Sequence, residues 1–381
     1  MVVLLYELKK IFQPKMLLLF LLINLFIYQL FISFYFEYFP NGRPELDYYR
    51  ISEQMVNNYG VEMDEEEFEH FKRQYTAQIE EADRFMQADP RFKEAGIANY
   101  DALINLDSNK NIDALRNYLF FELKSEMMYE LQVRTGLIKS YENVSENRFR
   151  LYSYPEQLSN AQKTRIQQLL DVNAFNSPFP YFVLENYNEL IKYVLVLALL
   201  SVMLMVSPIY IRDKKNGVYQ LQYSSRQGRK IFSTKLLASL LAATMLITAQ
   251  AGTFLLLYRQ QGTQIFYQLG INSFGNNHIF WLDPTFAQYI ALSLIALYAA
   301  ALAAALLSAF ISSIAPNYIT LAGAQVLLGI VLLGLLLDLL IKNLTALRYP
   351  VYVQPLLHIS LIVAGVALLL WKRRREQHAD R

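Results

Sequence analysis

Six long apolar stretches constrain this chain more than anything else in it, because a run of about 20 such residues matches the hydrocarbon thickness of a bilayer. The runs fall at 15–37, 188–211, 236–258, 285–314, 317–341 and 355–371. A chain of 381 residues with 54% hydrophobic and 18% charged residues is too apolar for an ordinary soluble enzyme. The reading is an all-α polytopic membrane protein with six transmembrane helices and a mainly helical extracellular domain at 38–187.

Charge orients it. The formal net charge of +2 conceals a separation: Tyr38 to Leu190 carries about ten more acids than bases, and the segments at 1–15, 212–235 and 372–381 together carry about eleven more bases than acids. Short basic segments stay on the cytoplasmic side. The segment 212–235, reading RDKKNGVYQLQYSSRQGRKIFSTK, sets seven bases against the single acid Asp213. With Lys372-Arg373-Arg374-Arg375 after the last run, it places both termini in the cytoplasm. Cysteine is absent, which suits a bacterial cell-membrane protein and leaves no disulfide or thiolate metal site.

At the N-terminus, 1–14 contains VVLLYELKKIF, with Leu4, Leu5, Leu8, Ile11 and Phe12 on one helical face and Glu7, Lys9 and Lys10 off it. This is an amphipathic helix suited to a membrane surface. Pro14 breaks it before the first span. A cleaved leader is the competing reading; the apolar run is too long for one, and Tyr35-Phe36-Glu37-Tyr38-Phe39 lacks small residues at a cleavage position.

In 38–187, Phe68, Phe71, Tyr75, Ile79 and Phe85 predict a helix over Val61–Met86. Leu115, Leu119, Leu123, Met127 and Leu131 predict another over Ile112–Val133. A third is expected over Ala161–Leu170, capped by Ser159 or Asn160. Phe149–Tyr154 is expected as a short strand, and Ser177-Pro178-Phe179-Pro180 as a stiff exit toward the membrane. The acids Asp64 to Glu67 read as a solvated helix start, since calcium-loop spacing is missing. His70 reads as a surface residue.

The loop 259–284 is expected outside, with Phe280 and Trp281 in the membrane interface. Ala296, Ala300 and Ala304, four apart, let a neighbouring helix approach closely. Ala315-Pro316-Asn317 is a tight inner turn, 342–354 a short outer loop, and 372–381 a cytoplasmic tail.

Catalytic constellations are thin. No GxxxxGK[ST] loop, HExxH or GxSxG motif occurs, and the acidic 38–187 segment argues against nucleic acid as a partner. Polar residues within spans are the default functional candidates because burying them is costly. Asn24, Gln29, Thr248, Gln250, Gln325 and His358 are accordingly pathway candidates, alongside Thr244, with bridging between helices as the competing role. Asp338, the only acid inside a span, is expected to pair with Lys342 one turn on.

The order of these parts resembles the ABC-2 family of ABC transporter permeases, in the type V exporter-like branch with a large extracellular domain after the first span. Tyr6-Glu7-Leu8-Lys9-Lys10-Ile11 resembles the family's surface connecting helix. Asn216-Gly217, Tyr223-Ser224-Ser225-Arg226 and Lys235 resemble its inner-loop pattern, and the turn at Pro316 resembles its short link between the fourth and fifth spans. The resemblance covers 1–37 and 188–381. It implies a non-catalytic permease half that pairs with a second permease subunit, identical or related, among membrane lipids. Cytoplasmic ABC ATPase subunits would bind the ATP and Mg, and this chain would bind no cofactor. A basic loop carrying Val218, Leu221 and Ile231 can form an amphipathic coupling helix that docks in a groove of the ATPase. The ATPase contacts are then Glu7, Lys9, Lys10, Gly217, Val218, Leu221, Arg226, Arg229, Lys230 and Lys235. The expected activity is outward movement of a lipid-like, peptide or drug-like substrate. A sensor or immunity protein that binds an extracellular peptide without transport is the alternative, and a membrane enzyme acting on envelope material is a weaker one.

Overall fold

The computed structural model describes residues 2–123, 126–150, 158–217 and 228–379. Among them the secondary structure is helical, with no strand and only isolated bridge residues, such as the pair Gly270 and Thr285. The chain divides into two compact units, one apolar (Met1–Glu37, Glu185–Gly262, Gln288–Arg381) and one polar (Tyr38–Leu184, Thr263–Ala287).

Six helices in the described residues are long and apolar enough to cross a membrane: Pro14–Glu37, Tyr181–Lys215, Lys230–Gln261, Phe286–Ile314, Tyr318–Leu335 and Val353–Arg375. The second is the hub of the apolar unit, because 78% of its apolar window is buried, against 6% of the first and 11% of the fifth. Its Leu195, Ala198, Leu199 and Val202 are wholly enclosed. Pro14 opens the first span at the start of its helix, where the missing N–H costs nothing. Ala296, Ala300 and Ala304 are all buried. Helix ends flank Pro316, and the Asn317 side chain caps the fifth span by accepting from the Thr320 N–H at 2.9 Å.

The two boundaries flanking the basic segment differ from the sequence expectation. Arg212 to Lys215 continue the second span as helix Pro208–Lys215, and the third span's helix begins at Gly228, not Leu236. Both ends of the basic segment are therefore helical, and Gly217, with φ of 68° in the left-handed region, ends the first of these helices.

Two apolar clusters are described in the polar unit. One gathers Met86, Phe92, Leu103, Leu119, Met128 and Leu131; the other gathers Ile51, Met55, Phe68, Phe71, Leu137 and Phe274. The acids at 64–67 open helix Glu65–Ala88 as a capping box: Asp64 accepts from the Glu67 N–H at 2.8 Å, and Glu67 from the Asp64 N–H at 2.9 Å. His70 is exposed, its Nδ1 2.9 Å from the Tyr59 hydroxyl. Ser159 caps Asn160–Asp171 in a second capping box.

The single helix expected over Ile112–Val133 is instead two, Lys110–Asn117 and Glu126–Glu142, with a π turn at Tyr118–Glu122 after the first. The apolar spacing is met by both halves burying Leu119 and Leu131 in one cluster. The Arg116 guanidinium fixes the first half by donating to the carbonyls of Leu103, Ile104 and Leu106. Of the expected strand, Phe149 and Arg150 end helix Val144–Arg150, and the rest lies outside the described residues.

The loop after the third span also departs from expectation. Thr263–Ala287 completes the polar unit, and Phe280 is fully buried there, its N–H held by Asn272 Oδ1 at 2.9 Å. Asparagine side chains take over backbone bonding that a strand would have supplied. Ser177 to Pro180 likewise stays in this unit: Phe179 is buried, and its carbonyl accepts from Ser273 Oγ at 2.7 Å. Beside it, an added Cβ on Gly275 would sit 2.8 Å from the Phe179 carbonyl oxygen and 2.6 Å from the Tyr48 hydroxyl. Because a backbone atom blocks one side, Gly275→Ala is expected to destabilise this unit by about 1–3 kcal/mol. A fall in the melting midpoint of the purified protein checks it, and an unchanged midpoint contradicts it.

Candidate functional site

The charged residues at one end of the second span form a concentrated polar feature of the apolar unit. Helix Val2–Ile11 lies against the start of helix Gly228–Tyr258, and between them runs a chain of ion pairs. Glu7 Oε1 takes the Lys10 ammonium at 2.8 Å; Lys10 continues to Asp213 at 3.1 Å; Asp213 Oδ2 takes Lys235 at 2.5 Å. Glu7, Asp213 and Lys235 are almost wholly buried, and Lys10 is half-buried. Burial draws the Lys10 ammonium down, but its bonds to Glu7 and Asp213 outweigh that and hold it above the usual lysine range.

Neighbouring bonds extend the chain. Arg212 donates to the Lys10 carbonyl at 3.1 Å and to Gln13 Oε1 at 2.6 Å, the Tyr210 hydroxyl donates to the Phe232 carbonyl at 2.9 Å, and Lys214 donates to the Ser313 carbonyl. The N-terminal helix, the second span, the third span and the end of the fourth are thereby joined at one level. A buried pair of this kind is a poor source of net stability but costly to break, so it fixes one arrangement of its helices.

This changes the standing of several sequence candidates. Glu7 and Lys235 are buried and paired within the network, and Lys10, half-buried, pairs with Glu7 and Asp213. Lys9 and Lys230 are exposed, and Arg229 falls in the first turn of helix Gly228–Tyr258. Val218, Leu221 and Arg226 lie outside the described residues, and Gly217 forms the turn just before them. Asp213, which the sequence offers only as the odd acid among bases, is the centre of the network.

The in-span candidates divide. Asn24 and Gln250 meet, with Ser201 between them: Gln250 Nε2 donates to Asn24 Oδ1 at 2.7 Å and to Ser201 Oγ at 2.8 Å. The others stand apart. Thr248 pairs with the Tyr298 hydroxyl at 2.7 Å, Gln325 Oε1 accepts from Ser308 Oγ at 3.2 Å, and His358 Nδ1 donates to the Gln354 carbonyl at 2.9 Å. The Thr244 hydroxyl returns to the Leu240 carbonyl, and Gln29 is exposed. Asn24, Gln250, Thr248 and Gln325 thus bond to neighbouring spans, whereas Thr244 and His358 bond within their own helices.

The expected Asp338–Lys342 pair is replaced. Helix Leu337–Ile341 ends with Lys342 in an extended conformation, so its ammonium leaves the turn and meets Glu189, which also holds Lys192. Near it, Asn188, Tyr289 and Asn343 form a network invisible in sequence: the Tyr289 hydroxyl donates to Asn188 Oδ1 at 2.6 Å, and Asn188 Nδ2 donates to Asn343 Oδ1 at 2.9 Å. The second span thus carries polar clasps at Asn188 and Asp213, with Ser201 between them in the cluster of Asn24 and Gln250.

No family model matches this chain, and neither the curated proteins nor the solved structures compared with it contain a match.

Proposed function

We propose that the chain is the membrane-spanning permease subunit of an ATP-driven exporter of the ABC-2 type, with hydrolysis performed by separate ATPase subunits. The ion-pair chain Glu7–Lys10–Asp213–Lys235 carries this reading, because it joins the N-terminal helix to the second and third spans on either side of the basic segment. A push on the basic segment reaches the second span directly. That span, enclosed through most of its length, carries the displacement to its far end as a rigid element. Glu7, Lys10 and Lys235 hold the lever together. Lys9, Arg226, Arg229 and Lys230, with Val218 and Leu221, meet the ATPase from the cytoplasm, where Mg and ATP are bound by that partner. The substrate is lipid-like, peptide or drug-like and moves outward.

The experiment is co-purification of the tagged chain from its native host, with and without Arg226→Glu/Arg229→Glu. The unaltered chain is expected to bring down an ATPase, and the double reversal to lose at least about ten-fold of it, as expected where steering charges are reversed at an interface. Because the chain has no cysteine, Ser225→Cys gives a single labelling position, expected to be closed to an impermeant thiol reagent in intact cells. Labelling from outside, or consistent absence of an ATPase, overturns the reading and leaves a sensor or immunity protein in its place.

A further inference from the structure

Consecutive crossings alternate in direction, so the end of the second span, the start of the fifth and the end of the sixth lie at one face of the membrane. Bases gather there. Helix Val353–Ala379, which contains the last span, runs without a break through Trp371 and on through Lys372-Arg373-Arg374-Arg375. Arg373, Arg374 and Arg375 are exposed, and none of the three makes an ion pair among the described residues. At about 100° per residue they sweep roughly 200° of the helix surface, too wide an arc to be turned wholly toward neighbouring spans.

Two aromatic rings set the depth of these charges. Trp371 is 51% exposed, and the Arg375 guanidinium carbon lies 5.5 Å from its ring centroid. Tyr318 opens the fifth span and is 40% exposed; the ammonium of Lys215, an exposed residue at the end of the second span's helix, lies 5.1 Å from its ring centroid. An exposed indole or phenol at the end of a span settles at the headgroup level. A cation held over its face is thereby held at the level of the lipid phosphates. Two separate helix ends at the same face present this pairing.

Charge decides what such a surface meets. At the opposite face Lys192 and Lys342 share Glu189 and are neutralised within the protein. At the basic face Asp213 is taken up by Lys10 and Lys235, which leaves Lys215 and the three arginines uncompensated. Bases next to a span are drawn to anionic headgroups, and a guanidinium fork matches two oxygens of one phosphate.

We infer that Arg373, Arg374, Arg375 and Lys215, with Trp371 and Tyr318 beside them, form a surface that binds the headgroup phosphates of anionic phospholipids in the leaflet at this face. The inference does not depend on export, since a protein that transports nothing would hold the same lipids.

The test uses the full chain in phosphatidylcholine nanodiscs. Phosphatidylglycerol and phosphatidylcholine, each with the same diazirine close to the headgroup, are added at equal low mole fraction, and photolabelled peptides are mapped by mass spectrometry. The anionic probe is expected to label 318–323 and 366–375 at least about five-fold more than the zwitterionic one, the factor that one base near an anionic headgroup supplies. The preference is expected to shrink in about 1 M salt, where the reach of a charge falls to about 3 Å. Arg373→Gln/Arg374→Gln/Arg375→Gln is expected to bring the two probes to parity at 366–375, and the corresponding triple lysine variant to keep the preference. Arg348→Gln, which removes an exposed base at the opposite face, is expected to leave it unchanged. Equal labelling of the unaltered chain by both probes, or a preference that survives salt and the glutamine variant, overturns the inference. Equal labelling joined to loss of a co-purifying protein from the glutamine variant also overturns it and assigns the arginines to an acidic protein surface. If the glutamine variant fails to fold, the comparison of probes and salt on the unaltered chain decides the matter alone.

Discussion

Asp213→Ala is expected to cost the apolar unit about 3–5 kcal/mol, the penalty of leaving a buried opposite charge without its partner. The residue left behind is Lys235, whose side chain is 4% exposed and 2.5 Å from Asp213. Lys10 retains Glu7 and suffers less. The effect should appear as a large fall in the detergent melting midpoint and as cleavage between the N-terminal helix and the first span under limited proteolysis. The decisive control is Asp213→Leu/Lys235→Met: removing both charges together should restore most of the loss, since an apolar pair of similar volume is no worse than a buried ion pair. On the proposed permease reading, the restored variant should still fail to couple ATP hydrolysis to export if charge positions the N-terminal helix. A double variant as unstable as the single one would place the importance of Asp213 in contacts other than Lys235.

In the polar unit, Arg148→Ala is expected to have a comparable effect, about 3–5 kcal/mol. Its guanidinium is buried and donates to the carbonyls of Asn276 and Ser273, each at 2.6 Å, and it lies 4.8 Å from the Phe175 ring centroid. Charged hydrogen bonds are worth about 1.5–3 kcal/mol each, and both carbonyls lose their donor at once. Arg148→Lys should recover only part of this, because one ammonium cannot reproduce the fork of two parallel donors. Hydrogen exchange should locate the loss in 263–287. Faster exchange spread evenly over both units would contradict that assignment.

The sequence makes the six apolar runs plain because hydropathy is local: each run can be recognised without knowing what it touches. Helix starts were legible for the same reason, as at Asp64 and Ser159, where cap and partner lie three residues apart. What could not be read was any feature whose partner is remote. Asp213 reads as a stray acid among bases because its partners Lys235 and Lys10 lie on other helices, about twenty and two hundred positions away. Ser201 was silent until Asn24 and Gln250 closed on it. Proximity pairs Lys342 with Asp338, and a helix end one residue earlier sends it to Glu189. Phe280 and Trp281 followed the rule for aromatics flanking spans, yet Phe280 is the side chain that closes a core. In the last two cases a sound local rule gave way to tertiary packing.

The polar unit is assembled from two stretches of chain with two spans threaded between them, and Phe274 reaches back to the Phe175 carbonyl at 2.8 Å to join them. During translation the ribosome delivers Tyr38–Leu184 first, and Thr263–Ala287 follows only after the third span has emerged. Until then Arg148 lacks its two acceptor carbonyls and the Phe179 carbonyl lacks the Ser273 hydroxyl. Completion of this unit therefore waits on biogenesis of the hairpin formed by the second and third spans. Quality-control proteases would meet an unfinished unit in any nascent chain whose hairpin had failed to insert.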